Sequence, residues 1–75
     1  MNIQSRLQNV FEIVGIFVNE EDFDKEIEMD SLQFATVIIE VENEFLLRIS
    51  NDFEEYSVLK TFRDFYKLVS SYFVS

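Results

Sequence analysis

The chain has 75 residues, room for one domain. With no Cys and no His it lacks a disulfide framework, a thiolate nucleophile, and the commonest general base and metal ligand. Fifteen acidic against six basic residues leave a formal charge of −9, which repels nucleic-acid backbones and anionic lipid and favours cationic partners.

From Ile3, the apolar residues Ile3, Leu7, Val10, Phe11 and Val14 recur at three- and four-residue steps. This spacing makes one stripe on a helix that ends near Gly15, a natural residue for the position after a helix. The next segment, Ile16 to Asp30, holds seven acidic residues and one Lys and has no sustained helical period. It reads as a long surface loop pinned by Phe23 and Ile27, and structureless loops of this length in small domains are more often functional than accidental.

At Asp30 the signals change. Asp is a good N-cap, and Gln33 stands three residues later, where a capping-box partner belongs. Within the predicted helix Phe34, Val37, Ile38, Val41 and Phe45 share a face suited to a core, while Leu32, Ala35 and Ile39 share another. A small domain cannot bury two faces of one helix equally. The second stripe therefore either packs under the long loop or stays partly exposed as a contact surface. The cluster Ser50-Asn51-Asp52 signals a turn, and a short helix is expected around Phe53 to Tyr56. From Ser57, which can cap, Leu59, Phe62, Phe65, Tyr66, Val69 and Phe73 return to helical spacing and predict a last helix whose aromatic face is core.

The expectation is one all-α domain over residues 1–75: helix, long loop, helix, short helix, helix. A chain of this size buries only about 60% of its unfolded surface, so most of its nine Phe and three Tyr are needed for the core. The carboxylates are spread along the chain and form no recognisable ligand loop, so no metal site and no autonomous enzyme is expected. The longest nearly apolar run, Ile13 to Val18, is far too short to span a bilayer. A cytoplasmic protein without membrane insertion is expected, and the like charge argues for a monomer.

The run Asp30-Ser31-Leu32, followed by an apolar helix that ends Val41-Glu42-Asn43-Glu44-Phe45, resembles the attachment motif and second helix of acyl and peptidyl carrier proteins. Phe23-Asp24-Lys25-Glu26-Ile27 resembles that family's loop before the motif, and Ile49 and Leu59 to Tyr66 its later core positions. The resemblance implies a small four-helix bundle with a long first loop and a short third helix. It further implies that Ser31 accepts 4′-phosphopantetheine from coenzyme A through a phosphodiester. A separate phosphopantetheinyl transferase would supply Mg²⁺ and catalysis, with Asp30 supporting the attachment site. The arm's thiol would hold acyl or aminoacyl groups as thioesters, so the chain would be a carrier and not an enzyme. Its partners would be the transferase, an adenylating or acyl-loading enzyme, and ketosynthase or condensation-type enzymes docking over Leu32, Ala35 and Ile39. A D-alanyl carrier of cell-wall modification shares the length and the Asp-Ser site, and an unmodified helical interaction module is the alternative from another class. Glu28 stands where the family usually has Gly, so the loop there cannot use glycine's access to positive φ.

Overall fold

Each α-helix among the described residues starts at a residue whose side chain takes up an otherwise unpaired backbone amide. The computed structural model describes residues 2–49 and 59–73, and within them lie α1 (Ile3–Ile13), α2 (Ser31–Phe45) and α3 (Phe62–Ser71). Asn2 Oδ1 accepts from the Ser5 amide at 3.1 Å to open α1. Asp30 opens α2 with the expected capping box: its carboxylate accepts from the Gln33 amide at 2.7 Å, and the Gln33 side chain accepts from the Asp30 amide at 3.3 Å. Thr61 and Asp64 make the same reciprocal pair at the start of α3.

The helices end by different means. Gly15 follows α1 with φ +88°, a conformation that costs an L side chain strain, and its amide donates to the Glu12 carbonyl. Leu46 follows α2 in the left-handed region at φ 54°, which is unusual for a residue with a Cβ.

Among the described residues the core draws Leu7, Val10 and Phe11 from α1, Val37, Val41 and Phe45 from α2, and Phe62, Phe65 and Val69 from α3, joined by Val18 and Ile49. Phe11 lies at its centre, edge-on to Phe65 at 5.2 Å and tilted against Phe62 at 5.7 Å between ring centroids. Arg6, near the start of α1, binds Glu44 in the last turn of α2 at 3.1 Å, donates to the Glu44 carbonyl and lies over the Phe45 ring, so α1 and α2 run antiparallel. The pairs Phe34–Phe65 and Phe45–Phe73 set α3 alongside α2 in the same sense.

The all-α expectation agrees with these residues, which hold three α-helices and no strand. The short helix expected around Phe53 to Tyr56 lies outside the described residues, as does Ser57. The last helix begins later than its apolar spacing predicts. Leu59 and Lys60 are not helical, and Thr61 is extended (φ −121°, ψ 162°) and bridges to Glu26. The Lys60 carbonyl accepts from the Ile27 amide, so this backbone holds the first loop and is not free to join the helix. Two members of the expected aromatic core stripe sit at its margin. Tyr66 is exposed, and Phe73 lies past the helix end with 45% of its surface open.

The long loop is more ordered than its composition predicts. A 3₁₀ turn spans Glu20–Asp22, closed by Asn19 and Asp22. Phe23 and Ile27 pin it as expected, Phe23 by stacking on Phe62 and Ile27 through Lys60.

Candidate functional site

Ser31 is the first helical residue of α2 and is exposed. Its hydroxyl and the amides of Ser31 and Leu32 have no hydrogen-bond partner among the described residues, because the Asp30 cap is spent on Gln33. An anion bonded at Ser31 Oγ would meet those amides and the positive end of the helix dipole. The residues present therefore fit a phosphodiester at this hydroxyl. Asp30 and Glu28 are also exposed, which limits their repulsion of such a group through solvent screening. Glu28 has no positive φ, so the loop before the cap needs no glycine there.

Of the two stripes on α2, the first faces inward: Val37, Val41 and Phe45 are buried, and Phe34 and Ile38 pack against them half-buried. The second does not pack under the loop. Leu32 is 75% and Ile39 55% exposed, and Ala35 between them is exposed as well. Ser31, Leu32, Ala35 and Ile39 thus lie on open helix surface around the capped N-terminus.

The loop that delivers Asp30 is fastened to α3. Arg63 grips Asp24 with Nε and one terminal nitrogen at 2.5 and 3.3 Å, and its amide donates to the Phe23 carbonyl at 3.1 Å. Hydrogen bonding to Arg63 holds the Asp24 carboxyl below the ordinary aspartate value of 3.8, and the pair raises Arg63 in turn. Asp22 is lowered by its bond to Lys25. Partial burial works to raise Asp64, yet the amides of Lys60 and Thr61, the Thr61 hydroxyl and the nearby Lys67 outweigh it and hold that carboxyl low. No group of three or more His, Cys, Asp or Glu able to hold a metal ion occurs among the described residues, and no helix there is long and apolar enough to cross a membrane.

Sequence reasoning missed a cleft of about 260 Å³ within the loop, whose apolar lining is Ile16, Phe17, Val18 and Ile27. Its signal was present in the run Ile16-Phe17-Val18, since three successive apolar residues cannot all reach one core: Val18 is buried, while Phe17 is 75% exposed. No protein-family model, curated protein or solved structure matches the chain.

Proposed function

We propose that the chain is a discrete acyl or peptidyl carrier protein, phosphopantetheinylated on Ser31, that passes thioester-bound acyl or aminoacyl groups between biosynthetic enzymes. The observation that carries this reading is the unengaged hydroxyl of Ser31 in the first turn of α2, directly after the capping Asp30. The Asp-Ser-Leu sequence alone is a common helix cap. Its position at the mouth of an amphipathic helix, after a long acidic loop and beside exposed Leu32 and Ile39, is what separates it from one.

In this reading the chain is the substrate of a phosphopantetheinyl transferase and catalyses nothing itself. Asp30 keeps one carboxylate oxygen free of the Gln33 bond, available to the transferase's metal during attachment. The arm supplies a terminal thiol that a chain without Cys otherwise lacks. Leu32, Ala35 and Ile39 are the surface that loading and condensing enzymes cross to reach the arm's root, and the −9 charge draws enzymes with basic faces. The described residues hold three α-helices, and the four-helix bundle of the carrier family is part of this proposal.

A coenzyme A analogue with a fluorophore on its thiol, incubated with Mg²⁺ and a promiscuous transferase, tests the reading by in-gel fluorescence. Labelling of the wild-type chain and none of Ser31→Ala is the expected result. Equal labelling of both, or of neither while the wild type is folded, refutes it.

A further inference from the structure

The cleft in the first loop is built from two walls that are each fixed to a helix. On one side the Ile16 amide donates to the Phe11 carbonyl at 2.8 Å, and Gln8 Nε2 donates to the Val18 carbonyl at 2.9 Å, tying the Ile16–Val18 strip to α1. On the other side the Ile27 amide donates to the Lys60 carbonyl at 2.8 Å, and the Asp24–Arg63 pair and the Phe23–Phe62 stack hold the wall to α3. A concave surface held from both sides loses little conformational freedom when something binds to it.

Its size and rim restrict the occupant. At about 260 Å³ the cleft falls below the roughly 300–1,000 Å³ of sites that enclose small ligands, and it suits one large side chain of a peptide better. Phe17, three-quarters exposed, lines the cleft as an aromatic anchor. The rim carries Asp22, Lys25, Glu26 and Glu28. Asp22 occupies the Lys25 ammonium at 3.0 Å, which leaves the Glu26 and Glu28 side chains without a cation among the described residues.

We propose that this cleft docks a basic amphipathic peptide segment of a partner protein, seating one apolar side chain against Phe17 and Ile27 with Lys or Arg over Glu26 and Glu28. The attachment serine takes no part in it, so the unmodified chain binds equally and the inference stands or falls apart from the carrier reading.

Amide-resonance perturbation of the full, unmodified chain on titration with a synthetic Leu/Lys amphipathic peptide tests the proposal, with a Leu/Glu peptide of the same length as control. The expected shifts centre on residues 16–28 with the Lys peptide and are absent with the Glu peptide. Phe17→Ser should weaken binding about tenfold, the loss of one anchor, and Glu26→Gln with Glu28→Gln should weaken it and flatten its salt dependence. All three positions are exposed, so the variants keep the fold, which thermal melting verifies. Shifts centred on Leu32 and Ile39, comparable binding of the Glu peptide, no binding of the Lys peptide, or wild-type affinity in Phe17→Ser each overturn the proposal.

Discussion

Phe23 stacks on Phe62 with ring centroids 4.2 Å apart and 18° between the ring planes. Phe62 is fully buried and is the first residue of α3, so this contact helps to seat the loop that leads to Ser31 on the core, beside Ile27 and Met29. Phe23→Ala should lower stability by about 2–3 kcal/mol, less than the largest losses at fully buried Phe because Phe23 is only half-buried. Urea denaturation measures it; a change within about 0.5 kcal/mol would show that the loop is held without the stack.

The Asp24–Arg63 pair makes part of that fastening dependent on pH. In the folded chain the Asp24 carboxyl lies below its ordinary value of 3.8. Its contribution is therefore fully present above pH 3.8 and is lost as the pH falls further, through the folded value. Asp24→Asn should melt below the wild type near neutral pH, with the gap closing as the pH drops beneath 3.8. The comparison belongs in about 0.15 M salt, where a screening length of about 8 Å mutes distant repulsion but spares a contact pair. A gap that stays constant across this range would show that the pair contributes nothing.

Val37 and Ile39 separate the two faces of α2. Val37→Ala removes two buried methyl groups and should cost about 2 kcal/mol. Ile39→Ala, at a half-exposed site where Ala is also the better helix former, should stay within about 0.5 kcal/mol yet slow transfer to a partner enzyme. A large stability loss in Ile39→Ala with normal transfer would place Ile39 in the core and remove it from docking.

Leu46 holds a left-handed conformation with 90% of its surface exposed, so its side chain returns little for the strain. Leu46→Gly should raise stability by up to about 1 kcal/mol, the strain relieved less the entropy glycine adds to the unfolded chain. A loss of similar size in thermal melting would show that the Leu46 side chain packs in solution.

The parts of this molecule legible in its sequence are those governed by local rules. Asp30 and Gln33 announced the start of α2, Gly15 the end of α1, and the spacing of Val37, Val41 and Phe45 the buried face. The start of α3 was not legible. Thr61 and Asp64 form the capping box, but the apolar spacing begins earlier, at Leu59, and the pairing of Thr61 with Glu26 joins residues 35 apart in sequence. The left-handed Leu46 carries no residue-type signal, since Gly or Asn would be expected there. At the candidate site, the exposure of Leu32 and Ile39 followed from two apolar faces on one helix. The cleft lined by Phe17 required the loop's return path, which long-range contacts such as those of Gln8, Lys60 and Arg63 define.

Intact-mass spectrometry of the full chain after incubation with coenzyme A, Mg²⁺ and a broad-specificity phosphopantetheinyl transferase tests the central claim most directly. The account predicts a gain of one phosphopantetheine, carried by the proteolytic fragment that contains Ser31, and no gain in a Ser31→Ala chain that melts like the wild type. A folded wild-type chain that gains no mass, or the same gain in Ser31→Ala, would contradict it.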